Sequence, residues 1–158
     1  MADTIKPPAL DPAAVTPRTG ASYPAPFDEP CKAREKRVLG DPLGLTQFGV
    51  NLTTLPPGAW SAQRHWHRHE DEFVYLLDGE VTLISDGGEQ VLTAGMAAGF
   101  PAGKEDGHHL VNRSDRPATF IEVGSRAALE QGVYPDIDMT FEIRDRKATF
   151  RHKDGTPY

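Results

Sequence analysis

The sequence predicts an all-β domain of the sandwich or barrel type, on three observations. From residue 45 onward the chain breaks into short runs that alternate apolar and polar, the period of a strand with one buried face. Turn-forming groups, Pro57-Gly58, Asp78-Gly79 and Asp86-Gly87-Gly88, punctuate those runs. The length of 158 residues allows one domain with a sizeable core and is too short for two independent ones.

Three regions follow. Residues 1–34 are rich in proline, alanine and small polar residues and keep neither helical nor strand period, so they read as an extended arm, polyproline-like in places. Tyr23 and Phe27 would be wasted in solvent, so this part of the arm is expected to lie against the domain or a second subunit. Residues 35–125 are expected to form the β domain, with strands at 46–54, 72–77, 80–85, 89–92, 108–112 and 118–123, and with the glycines and proline of 95–101 suiting a bent edge or corner. In the first of these Phe48, Val50 and Leu52 share a face. The turn residues between 72–77, 80–85 and 89–92 predict consecutive hairpins, and 108–112 is expected to pair with 118–123. Residues 126–158 are expected to hold a short helix and a C-terminal hairpin. The helix spans 125–132, with Ser125 as N-cap and Gly132 as terminator, and the hairpin joins 141–144 to 148–152.

Composition narrows the function classes. A net charge of −6 without a Lys/Arg stripe argues against nucleic acid and anionic lipid as partners. No run approaches the roughly 20 apolar residues of a bilayer span. The N-terminus carries acids and prolines where a secretion signal needs a basic and then an apolar region, so a soluble, cytoplasmic protein is expected. A single cysteine, Cys31, excludes an internal disulfide.

The histidines carry the chemistry. Five of six fall in two stretches, at 65, 67 and 69 and at 108 and 109. In an extended chain His65 and His67 project from one face, with backbones about 6.6 Å apart, close enough for both rings to share an ion at about 2.0–2.1 Å per nitrogen. Glu72 leads an inward row that continues with Val74 and Leu76, a costly place for an acid unless a cation meets it. An inward His108 would add a fourth ligand to one divalent ion. Gln63 shares the parity of His65 and His67 and could hydrogen-bond a bound water or substrate. Asn112 could orient a ligand from behind.

These residues resemble the cupin motifs. Gly58, His65, His67, Glu72 and Gly79 match the first, with one extra residue after Gly58. Gly95, Pro101, Gly103, His108 and Asn112 match the second, with two extra residues before the histidine. That insertion leaves His109 as a rival ligand; His108 is chosen because it keeps the three-residue gap to Asn112. The resemblance implies a single double-stranded β-helix, or jelly-roll, barrel with the ion inside its mouth. Strings farther along, including YPDID and KDGTPY, are similar to small bacterial cupins of the sugar-phosphate-isomerase-like, or phosphomannose-isomerase-like, type.

Three functions fit such a site. The first is a metal-dependent enzyme on a small oxygen-rich metabolite such as a sugar phosphate, acting as an isomerase. The others are an iron-dependent dioxygenase and a non-catalytic module that binds a metal or small ligand. The ion could be zinc, manganese, nickel or iron. Tyr75, Glu70, Lys104 and Glu105 are the nearest candidates for a base, and Arg64, Lys104 and Arg113 for phosphate contacts. The outward row Phe73 and Tyr75 predicts a homodimer, with N-terminal arms exchanged.

Overall fold

The computed structural model describes residues 6–158. Among them are thirteen strands and two single-turn 3-10 helices, Pro12–Ala14 and Glu29–Cys31. The strands are β1 (Arg18–Thr19), β2 (Glu35–Val38), β3 (Phe48–Leu55), β4 (Trp66–His67), β5 (Glu72–Asp78), β6 (Glu80–Ser85), β7 (Gly88–Thr93), β8 (Ala97–Phe100), β9 (His109–Val111), β10 (Ala118–Ser125), β11 (Leu129–Tyr134), β12 (Met139–Arg144) and β13 (Lys147–Arg151). They form three antiparallel sheets, ordered β1-β2-β3-β10-β5-β8, β7-β6-β9 and β13-β12-β11-β4. No described helix is long and apolar enough to cross a membrane.

The first two sheets make the jelly roll that the sequence predicts. Along β5 the pleat buries Val74 and Leu76 and leaves Phe73, Tyr75 and Leu77 exposed. The facing sheet contributes Val81, Leu83, Leu92 and Leu110, and Leu55, Ala118 and Phe120 complete the filling. Each large side chain buried this way contributes about 1.5–3 kcal/mol of transfer free energy.

A second apolar cluster joins the arm to the third sheet. Tyr134, Met139 and Phe141 pack with Tyr23 and Phe27, and Tyr23 meets Tyr134 edge-on with ring centroids 5.5 Å apart. The arm therefore lies on its own chain, anchored by β1 pairing with β2 and by Cys31, which is fully buried.

Three local expectations are corrected. Residues 125–132 are not a helix: they end β10 and begin β11, because β11 pairs with β4 on one side and β12 on the other. An eight-residue helix would be marginal alone, whereas the strand closes two ladders. Ser125 caps nothing helical; its hydroxyl accepts from the Asp71 N–H at 2.8 Å. At Gly132 a Cβ would collide with the Phe141 ring and the Trp66 carbonyl, so this glycine permits close packing rather than stopping a helix.

Asp78-Gly79 is also not a hairpin turn. β5 and β6 belong to different sheets, and Gly79, at φ +82°, turns a corner so tight that a Cβ would lie 2.7 Å from the Ala118 Cα and the Pro117 carbonyl. Finally, β9 pairs with β6 and not with β10, which lies between β3 and β5.

Asp41 ties the loop after β2 to the far end of the chain, accepting from Arg126 at 2.6 Å and from Arg146 in the β12–β13 turn. These two guanidinium groups hold its carboxyl below the usual aspartate range. A depressed folded pKa stabilises the fold above the unfolded pKa, and that stabilisation is lost as pH falls through the folded value. Asp41→Asn is therefore expected to cost up to about 1 kcal/mol at neutral pH. In urea titrations the gap from wild type should close as pH drops below the ordinary aspartate value.

Candidate metal centre

The two histidine stretches meet through their backbones. The His65 N–H donates to the His108 carbonyl at 3.2 Å, and the His108 N–H donates to the His65 carbonyl at 2.8 Å. His67 follows on β4, held by the pairing of that strand with β11. Glu72 opens β5 on its inner face, opposite Phe100 of β8.

The side chains then converge. Oε2 of Glu72 lies 2.9 Å from Nε2 of His108, 3.3 Å from Nε2 of His67 and 3.7 Å from Nε2 of His65. The His65 and His67 Nε2 atoms are 3.1 Å apart. Donors around one ion at about 2.1 Å stand roughly 3.0–3.4 Å from each other, so these separations are of the right size. His65, His67 and Glu72 offer ligand atoms all within 4.8 Å of one another, and His108 joins them through Glu72.

Ring orientation fits a cation as well. Nδ1–H of His65 donates to the Gln63 carbonyl at 2.8 Å, which leaves the Nε2 lone pair aimed inward. His108 turns Nδ1 toward the Asp106 carbonyl at 3.4 Å and stacks flat on Phe100, centroids 3.6 Å apart. Nδ1 of His67 is buried without a hydrogen-bond partner, 3.5 Å from Oε1 of Glu130. Two imidazole nitrogens and a carboxylate oxygen gathered within 4.8 Å, with His108 Nε2 on the same carboxylate, favour a positive charge, a proton or a metal ion, among them.

The titration of the protein alone reflects that need. Burial pushes His65 down to about 3. For His67 burial acts in the same direction, but Glu130 and Glu72 outweigh it and hold the imidazolium up to about 10. Burial would raise Glu72, yet its contacts with His108 and His67 keep it well below the usual carboxylate range.

The other sequence candidates are engaged otherwise, although Glu70 lies beside His67 and Glu130 and Lys104 lines the same cavity as His67 and His108. Gln63 is buried with its amide donating to the Phe27 carbonyl at 2.7 Å, so it fastens the arm. Asn112 is fully buried, donates to the Leu55 and Arg116 carbonyls at 2.7 and 2.8 Å, and accepts from Ser114. It shapes the loop before β10. His109 points away from the cluster, donating to the Ala62 carbonyl at 3.0 Å and meeting Trp60 edge-on. Tyr75 is on the outer face and Glu105 is exposed. Glu70 accepts the Ala127 N–H at 2.8 Å. Arg64 is taken by Asp136 and Asp86, Arg113 by Glu89 and Lys104 by Asp106 at 3.3 Å.

Four residues in or behind the centre were missed. Glu130, fully buried, accepts the Arg68 and His69 N–H groups at 2.8 and 2.9 Å and backs His67. Arg34, Lys36 and Glu122 line a cavity of about 170 Å³ together with His65, His67 and Glu72. A second cavity, of about 260 Å³, opens on the side of His67, His108 and Phe100. An acid among apolar β10 residues was a readable signal for Glu122; nothing local marked Arg34 or Lys36.

Comparison with known proteins agrees with this geometry. A family model described as a cupin domain matches residues 51–124. The chain is 33% identical over 101 residues to mannose-1-phosphate guanylyltransferase from Klebsiella pneumoniae, covering 63% of this chain and 19% of that protein. It thus spans about a fifth of that relative's length. A candidate sugar phosphate isomerase from Acidithiobacillus ferrooxidans superposes with a TM-score of 0.72 at 25% identity, over 80% of each chain. A cupin-superfamily sugar phosphate isomerase from Silicibacter pomeroyi superposes with a TM-score of 0.92 at 43% identity, over 96% of both chains. With a jelly roll alike over nearly its whole length and three histidines and a glutamate gathered inside it, this chain belongs to the cupin superfamily.

Proposed function

We propose that this cupin is a metal-dependent enzyme that isomerises a small oxygen-rich metabolite such as a sugar phosphate, and that His65, His67, Glu72 and His108 hold one divalent ion. The observation that carries the reading is the convergence of three Nε2 atoms on Glu72 Oε2, at 2.9, 3.3 and 3.7 Å. The likeness to a protein named as a sugar phosphate isomerase supports the choice of substrate. When bound, such an ion supplies Lewis-acid polarisation of a carbonyl or hydroxyl oxygen.

The chain's own groups do the rest. Tyr134 and Phe141 flank the His65 ring at 5.8 and 6.2 Å and give the adjoining cavity an apolar wall. Glu122 accepts from Asn51 at 2.9 Å and from Lys36, and its carboxylate shares the cavity with Glu72. It is the group suited to carry a proton between neighbouring substrate carbons.

The test is a panel of aldose and ketose phosphates with protein purified anaerobically, alongside metal analysis. Oxygen-independent interconversion with zinc, manganese or nickel bound is expected. Oxygen consumption by an iron-loaded form would replace isomerisation with dioxygenation, and tight ligand binding without turnover would make the chain a binding module.

A homodimer is proposed through the outer face of β5, where Phe73, Tyr75 and Leu77 are 40–47% exposed side by side. Light scattering is expected to give twice the 17.3 kDa of one chain, and Tyr75→Glu to return it to a single chain's mass.

A further inference from the structure

We infer that the cavity beside His65, His67 and Glu72 contains an oxyanion subsite, with the Arg34 guanidinium as its charge and Lys36 as a second donor. The substrate is then a small molecule carrying a phosphate or carboxylate group. This deepens the metal-enzyme reading by giving the substrate's anionic group a place in the chain, and in that respect rests on it.

Placement comes first. Arg34 and Lys36 each line three adjoining cavities, of about 390, 170 and 270 Å³. The last two are also lined by His65 and His67. The arm supplies the opposite wall through Ala21, Ser22 and Tyr23. A molecule that reaches the histidines from this side passes the two cations.

Charge comes next. Arg64, Arg113 and Arg126 each meet a carboxylate. Arg34 is partly buried and donates only to carbonyls, from Nε and Nη2 to Gly20 at 3.2 and 2.5 Å and from Nη1 to Ser61. A carbonyl satisfies an N–H but does not neutralise a cation, and a partly desolvated guanidinium without a counter-charge is costly. Lys36 is paired with Glu122, and Glu72, which lines the same cavity, is engaged by His108 and His67, so Arg34 stands there without a carboxylate in ion-pair distance among the described residues.

Geometry completes the case. Three of the five N–H groups of a guanidinium are used to fix its plane between the arm and the barrel. One N–H remains on each terminal nitrogen, and a fork held this way binds an oxyanion with little further loss of freedom. A purely mechanical clamp between Gly20 and Ser61 would have no affinity for anions, which separates the two roles.

The experiment uses full-length, metal-stripped protein and two-dimensional proton–nitrogen spectra. It is titrated with inorganic phosphate, glucose 6-phosphate, gluconate and glucose. Saturable shifts are expected at the Arg34 Nε–H and at the Gly20 and Ser61 amides with at least one of the three anions, and none with glucose. Whether phosphate or gluconate acts identifies the oxyanion. Arg34→Lys, which keeps the charge but loses the fork, and Lys36→Met should each weaken the shifts roughly tenfold. Unmoved Arg34, Gly20 and Ser61 signals in the wild type would overturn the inference. So would non-saturating shifts shared equally with exposed Arg113 and Lys147. A separate zinc titration reads the imidazoles of His65, His67 and His108, so failure of the metal reading would show there and leave the anion result standing.

Discussion

Glu72→Gln is expected to abolish stoichiometric metal binding while leaving the fold in place. Glu72 Oε2 is the atom on which the three imidazoles converge, and glutamine replaces its charge with a neutral amide of the same shape. Loss of a group merely behind a ligand already costs about 10–100-fold in metal affinity, so loss of the carboxylate itself should cost roughly 100-fold or more. Calorimetric titration of zinc and manganese into the metal-free variant reads this directly. A stability effect accompanies it with a defined sign. The folded pKa of Glu72 is held well below the usual range, with burial opposed by His108 and His67. Its stabilisation is therefore present above the unfolded value and lost as pH falls through the folded one. Wild-type affinity in Glu72→Gln would remove this residue from the centre.

Glu130→Ala is expected to give the largest loss of stability among these substitutions, about 3–5 kcal/mol. The side chain is fully buried, receives the Arg68 and His69 N–H groups at 2.8 and 2.9 Å, and lies 3.5 Å from Nδ1 of His67. Alanine leaves two donors without partners, opens a void and removes the counter-charge behind His67. Urea unfolding of the metal-free protein measures it, and a loss under about 1 kcal/mol would contradict this account. Glu130→Gln keeps an acceptor for the backbone but drops the charge. Because its NH2 faces one of the two backbone N–H groups, it should recover only part of the stability lost in Glu130→Ala and still lose about 10–100-fold in metal affinity.

The centre was more legible than its surroundings, for a physical reason. His65, His67 and Glu72 were readable because side-chain direction alternates along an extended chain, so parity fixes the face. His108 was separated from His109 only by its gap to Asn112, and the structure turns the two rings in opposite directions. Glu130 was hidden because the residues around it, AALEQ, are good helix formers, while pairing with β4 and β12 decides their conformation. The corner at Gly79 was misread as a hairpin because its local turn chemistry is the same whether or not the next strand pairs with the last. Arg34 and Lys36 gave no signal at all, since the cavity they line exists only once the arm has folded back.

The reciprocal hydrogen bonds between His65 and His108 also bear on how the site comes into being during synthesis. A ribosome-bound chain that stops short of residue 108 owns two imidazoles and a carboxylate but lacks the segment that fixes their spacing. On the proposed metal-centre reading, loading with an ion is expected to wait until the later stretch has emerged and docked. From then on the separation of the two ring-bearing backbones is set by peptide geometry, and drift in the apolar filling of the barrel can proceed without pulling the rings out of step.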